Sequence, residues 1–169
     1  MPEAIADTSP LLYLHRIGTL SWLDELFSTV VVPSAVVREL QVGRERGYDV
    51  PDPAAHAWLQ IVEPTAIPPE WFAFDLGPGE LAVLALGLED QSRIVLVDDG
   101  LARRIAHAAH LQVWGTLTVL LESKQRGLTD AIAPHLRRLE EAGMWISGSL
   151  RDRVLALAGE PGGDRGAGS

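Results

Sequence analysis

Five carboxylates, Asp7, Glu39, Glu80, Asp98 and Asp99, stand at points in the sequence where a βα fold could gather them. Acids brought together repel one another unless cations hold them. Carboxylate oxygens without His or Cys companions suit hard ions, Mg²⁺ or Mn²⁺. A carboxylate-held metal in a water-accessible cleft is suited to cutting phosphodiesters. It lowers the pKa of a water and stabilises the attacking and leaving oxygens, ideally as a pair about 3.5–4 Å apart. No side-chain nucleophile is needed, which agrees with a chain that has no cysteine and no Ser–His pairing pattern.

The elements that must position these acids are legible. Ile94-Val95-Leu96-Val97 is a short β-branched run that reads as a buried strand, and it stops at Asp98, Asp99 and the turn-forming Gly100. A helix from Leu101 to about His110 leads to a second strand, Leu111–Trp114. Such βαβ units build parallel sheets, and ligands collect at the carboxyl ends of their strands. One Asp could simply cap the helix; a cap needs only one of the two. Ala4-Ile5-Ala6 reads as a first strand ending at Asp7, with Ser9 as N-cap and Pro10 at the first position of a helix reaching Ile17. That leaves the Asp7 carboxylate free for another task. Thr29–Val32 is a second strand, followed by a helix capped by Pro33-Ser34 and running from Ala35 to about Val42. Glu39 leans back along it toward the strand end, or is an ordinary solvated glutamate. Gly77-Pro78-Gly79-Glu80 opens a helix to Leu88. Glu80 there either satisfies the helix dipole or joins Asp7 and Asp98 at the sheet edge.

The rest of the chain reads as scaffold. A helix at 20–26 turns Trp22, Leu23 and Leu26 inward, and 43–53 is a loop by composition. His56–Val62 reads as a short helix entering a strand at Gln60–Val62, and Trp71 and Phe72 cover core. Helices follow at Leu117–Arg126, Ala131–Ala142 and Leu150–Leu157, the last with Ser149 and Asp152 as a near capping box. Residues 1–158 form one domain and the glycine-rich 159–169 a flexible tail. Thr8, Ser9 and Thr116 could orient the acids by hydrogen bonds. Arg103 and Arg104, with Lys124 and Arg126, are either a basic rim for backbone phosphates or a solvated helix face. His107 and His110 lack metal-pair spacing and read as structural.

Composition narrows the classes further. A chain of 169 residues with 47% hydrophobic residues can bury a real core. No apolar run approaches the roughly 18 residues of a membrane span, and the N-terminus lacks the pattern of a signal peptide. Together with the lack of cysteine, this gives the expectation of a cytoplasmic protein without membrane partners. A formal charge of −9 disfavours broad electrostatic binding to nucleic acid unless cations at the acids reverse the field locally. A phosphoryl-transfer receiver domain fits less well, because Asp7 stands alone and Gly115-Thr116-Leu117-Thr118 supplies no lysine.

Five pieces, in order, carry a resemblance. They are Ile5-Ala6-Asp7-Thr8-Ser9-Pro10; Val32-Pro33-Ser34-Ala35-Val36-Val37-Arg38-Glu39-Leu40; Gly77-Pro78-Gly79-Glu80; Val97-Asp98-Asp99-Gly100-Leu101-Ala102-Arg103; and Gly115-Thr116-Leu117. Together the chain resembles a PIN-domain protein, within the VapC-like branch that has a Gly-Glu helix start and an Asp-Asp pair. The resemblance implies a three-layer α/β/α sandwich with a five-stranded parallel sheet, and a Mg²⁺- or Mn²⁺-dependent ribonuclease site. It puts Asp7, Glu39, Glu80 and Asp98 at the acidic positions, with Asp99 as an extra ligand. Many PIN nucleases carry Thr-x-Asp or Thr-x-Asn where this chain has Asp98-Asp99, so either acid could be the main ligand. Many such proteins are toxins silenced by a small antitoxin, and many form homodimers. A PIN-like protein that binds RNA or a protein partner without cutting is the alternative.

Overall fold

A computed structural model describes residues 1–162 of the chain. Five strands, β1 (Glu3–Ala6), β2 (Thr29–Val32), β3 (Leu59–Ile61), β4 (Ile94–Leu96) and β5 (Gln112–Trp114), form one sheet in the order β3-β2-β1-β4-β5. Every neighbouring pair is parallel. The expected five-stranded parallel sheet flanked by helices is therefore the fold. Beyond the polar residues that open β1 and β2, Glu3 and Thr29, the central strands are apolar because a parallel sheet is covered on both faces. Ile5, Val30, Val32, Val95 and Leu96 are fully buried. The edge strands β3 and β5 carry the exposed residues Gln60, Ile61 and Gln112.

Strand order reverses between β1 and β4: the chain runs outward to β3, then returns to place β4 on the other side of β1. A crevice opens at the carboxyl ends of the strands at such a switch point. Asp7 follows β1 and Asp98 follows β4 by two residues, so both acids stand there. The Asp7 backbone N–H donates to the Leu96 carbonyl at 3.0 Å and ties the two strand ends together.

Among the described residues, five α-helices connect the strands, α1 (Thr8–Arg16), α2 (Trp22–Leu26), α3 (Ser34–Glu45), α4 (Pro78–Glu89) and α5 (Gly100–Ala108), and three follow β5, α6 (Thr116–Gln125), α7 (Ala133–Glu141) and α8 (Gly148–Leu157). Helix α4 is apolar on all sides, as a helix enclosed by other elements must be. Leu81 through Gly87 are all buried, and α4 contacts β1, β4, α3 and α5. Gly87 permits that close approach, since a Cβ there would lie 2.9 Å from both Leu111 and Val95 side chains. None of the described helices is long and apolar enough to cross a membrane.

Several expected boundaries move. Helix α1 starts at Thr8 with Asp7, not Ser9, at the N-cap position. Helix α3 runs past Gly43 to Glu45, because one internal glycine costs only about 1 kcal/mol; the turn comes at Gly47, whose φ is +84°. Instead of a helix after His56, a 3-10 turn at Pro53–Ala55 precedes β3. Ser147 caps α8 by accepting the Leu150 N–H at 3.2 Å, displacing Ser149 from that role. Trp71 is buried, whereas Phe72 is exposed. Trp22 is half-buried and meets His135 edge-on at 4.9 Å. His110 closes α5 in the left-handed region, φ 61°, a structural role.

The expected tail is anchored at its start. Glu160 accepts the backbone N–H groups of Ile132 and Ala133 at 2.8 and 3.1 Å, and pairs with Lys124 at 3.0 Å. Residues 163–169, the rest of that tail, lie outside the described residues.

Candidate active site

Asp7 is the centre of the acid group. It is 4% exposed, and its Oδ1 is buried without a hydrogen-bond partner. Its carboxylate caps nothing, although its backbone occupies the N-cap position. Burial pushes its pKa up to about 7; the Thr8 backbone N–H works against this, and the charges of Glu80, Glu39 and Asp98 raise it further. Asp7 thus lies within electrostatic reach of the other three acids at the β1/β4 crevice.

Each of the other acids is oriented by a neighbouring element. Glu39, half-buried on α3, accepts the Thr8 hydroxyl at 2.5 Å on Oε2 and the Gly79 N–H at 3.0 Å on Oε1. It leans toward the strand end as the helical geometry allows. Glu80, also half-buried, turns back on its own helix start and accepts the Gly77 N–H at 2.6 Å. Its pKa is raised by burial, against the Gly77 N–H, with Asp99, Glu39 and Asp75 adding to the rise. Asp98 is held on both oxygens by Thr116: the N–H donates at 2.8 Å and the hydroxyl at 2.7 Å. Burial raises its pKa, while the Thr116 bonds and the Arg103 charge lower it.

The Asp98–Asp99 pair divides its labour. Asp99 is the side-chain cap of α5, accepting the Ala102 N–H at 2.8 Å. Asp98, half-buried, faces the crevice with Asp7.

Two glycines make these approaches possible. A Cβ on Gly79 would lie 2.7 Å from both Glu39 carboxylate oxygens. A Cβ on Gly115 would lie 2.8 Å from the Arg103 guanidinium and 3.0 Å from Asp98. The Gly79 N–H was not singled out from sequence; the small residue directly before Glu80 was the available signal.

Of the expected orienting residues, Thr8 and Thr116 bond the acids. Ser9 lies within the first turn of α1 and bonds none of them. Arg103 donates to the Val97 carbonyl at 3.1 Å and sits beside Asp98, while Arg104 is exposed. Lys124 is no part of a rim, since it is committed to Ala158 and Glu160.

A cleft of about 460 Å³ runs from Asp98, Arg103 and Gly115 along α6 to Trp145, Arg153 and Leu157. The acids are not drawn into a closed cage. Among the described residues no three His, Asp or Glu side chains sit at metal-binding spacing. In donor chemistry the group still fits a hard cation: it is all carboxylate, mutually repelling, and includes the unpartnered Asp7 oxygen. A family model described as a PIN domain matches residues 3–160.

The chain belongs to the PIN-domain family. PIN domains are generally nuclease domains that use divalent metals. The span matched in this PIN domain includes every acid of the crevice. No curated protein and no solved structure matches the chain.

Proposed function

We propose that this PIN domain is a metal-dependent endoribonuclease that hydrolyses RNA phosphodiesters. The observation that carries the reading is the buried, unpartnered oxygen of Asp7 within a group of four mutually repelling carboxylates. A polar atom left without a partner in the interior costs free energy, and a group that keeps one needs a reason. Asp7, Glu39, Glu80 and Asp98 are the residues that would hold Mg²⁺ or Mn²⁺, with Asp99 serving α5 instead. Such an ion, when bound, activates water and stabilises charge on the phosphodiester oxygens.

The chain's own groups prepare for that task. Thr116 fixes both oxygens of Asp98, so the carboxylate does not need to be ordered on binding. Thr8 and Gly79 hold Glu39 in the same way. Burial keeps water from competing for Asp7 and strengthens every charge interaction around it.

By the same resemblance, the reading extends to the toxin of a VapBC-type pair, silenced by a small antitoxin, acting as a homodimer in the cytoplasm. Toxicity on expression, relieved by the product of a neighbouring small gene, is the expected sign. The competing reading, a PIN-like protein that binds RNA or a protein without cutting, is favoured by the absence of a preformed metal spacing among the described residues.

Cleavage of a labelled RNA pool decides between them. Cutting that requires Mn²⁺, stops with EDTA and is lost in Asp7→Asn supports the nuclease. Folded protein that neither cuts nor binds Mn²⁺ supports the binding module.

A further inference from the structure

The cleft beside Asp98 has features that the hydrolytic site does not use. Its far wall carries Trp145, in the turn between α7 and α8, with 84% of its surface exposed. Arg153 on α8 lines the same cleft, is exposed, and pairs with no carboxylate among the described residues. By contrast, Arg151 one turn-face away is paired with Glu140. Arg103, at the Asp98 end, uses one guanidinium nitrogen on the Val97 carbonyl and keeps the rest of its fork. In a chain of net charge −9, two arginines and an exposed indole thus share one cleft that is continuous with the acids.

We propose that this cleft is a subsite for single-stranded RNA, in which Trp145 stacks on one nucleobase and Arg103 and Arg153 take the flanking phosphates. The proposal rests on the ribonuclease reading above and names where the substrate strand leaves the acids. An aromatic face with basic groups alongside is the general apparatus for single strands: the ring accepts any base, and the cations follow the backbone. Its volume of about 460 Å³ falls in the ~300–1,000 Å³ range of small-ligand sites, so it takes a nucleotide and not a duplex. The wall between the cations is apolar (Leu117, Leu121, Met144, Ile146, Leu150 and the exposed Leu157) and suits the base and ribose faces of a strand; a protein on this face is the other outcome of the test.

The test is fluorescence anisotropy of a labelled single-stranded oligoribonucleotide, with Asp7→Asn as the cleavage-silent parent. Trp145→Ala added to that parent is expected to weaken binding about tenfold, within the range for one stacked base. Trp145→Phe is expected to keep affinity within about threefold of the parent, since a phenyl ring still stacks. Arg153→Ala is expected to lower the salt dependence by about one counterion. An oligonucleotide with one abasic position should cost the parent the same factor as Trp145→Ala, and cost Trp145→Ala nothing further.

Binding by the parent that is unchanged in Trp145→Ala overturns the subsite. So does unchanged RNA binding with a loss of dimer in sedimentation, which would assign the face to protein. A parent that does not bind RNA overturns it as well. The nuclease reading fails separately, in the wild-type cleavage assay with Mn²⁺ and EDTA.

Discussion

Two carboxylates withdrawn from solvent to different depths, Glu160 and Asp7, are treated in opposite ways. Glu160, at the end of the domain, meets a full set of donors: Lys124 and the N–H groups of Ile132 and Ala133 at the start of α7. Its pKa is lowered, the donors outweighing a burial that acts the other way. Asp7, at the end of β1, is more deeply buried, keeps an oxygen with no partner, and is surrounded by other acids. Its pKa is pushed up to about 7. The same functional group is thus compensated where it fastens the fold and left uncompensated where the sheet opens. Glu160 thus has a full set of donors, whereas Asp7 has the Thr8 backbone N–H and an Oδ1 with no partner, the oxygen that the proposed divalent cation would meet.

The widest gap between the two regions is opened by Asp7→Asn. Activity should fall on the order of 10³-fold, reflecting the several kcal/mol that a carboxylate-held metal supplies. Stability should move the other way above neutral pH. The folded pKa of about 7 lies above the ordinary value of 3.8, so folding favours the protonated form. The stability associated with that proton is present below pH 4 and is lost as pH rises through 7. At pH 8, without divalent metal, Asp7→Asn should therefore be more stable than wild type by on the order of 3 kcal/mol. Urea unfolding at pH 4 and pH 8 measures both arms, and the advantage should shrink at pH 4.

Gly79→Ala sharpens the comparison from within the site. The new methyl would press on the Glu39 carboxylate, which must swing away from Thr8 and the Gly79 N–H. A loss of about 10–100-fold in activity, as for a displaced supporting contact of a metal site, is expected with Mn²⁺ affinity reduced in step. Equal activity in Gly79→Ala and wild type would remove Glu39 from the site.

The compensated region should respond in stability alone. Glu160→Ala leaves Lys124 and two helix-start N–H groups without their acceptor, at a cost of about 2 kcal/mol, with RNA cleavage at the wild-type rate. The smallest effect belongs to Asp99→Ala. It removes the cap on Ala102 and should cost about 1 kcal/mol, with activity changed by less than about threefold, whereas Asp98→Ala inactivates. If Asp99→Ala is the inactive one, the division of labour within the pair is reversed.

Much of this was legible because period and position speak directly. A β-branched run ending in Asp and followed by a helix start fixes both a strand and the end at which its acid lies. That is why the sequence alone gives the expectation that Asp7, Glu39, Glu80 and Asp98 share one edge of the sheet. What was not legible depended on local competition between groups. Asp7 and Ser9 are both good caps, and only the backbone path decides that the helix starts at Thr8 and that the Asp7 side chain caps nothing. Asp98 and Asp99 are chemically alike; the Thr116 hydroxyl, eighteen residues away, separates them. Gly159 opens the low-complexity stretch, yet Glu160, with three donors, fastens its first residues. Nothing in the sequence distinguishes Trp145 from any apolar residue between helices, because its exposure and its place in the cleft beside Asp98 are products of the tertiary fold.

The central claim is that the charge missing around Asp7 is a divalent cation. Isothermal titration of Mn²⁺ into folded wild-type protein and into Asp7→Asn at pH 8 tests it most directly. The account predicts saturable binding by wild type, accompanied by a rise in melting temperature, with both lost in Asp7→Asn. Wild-type protein that is folded and takes up no Mn²⁺, or Asp7→Asn that binds it equally well, would contradict the account.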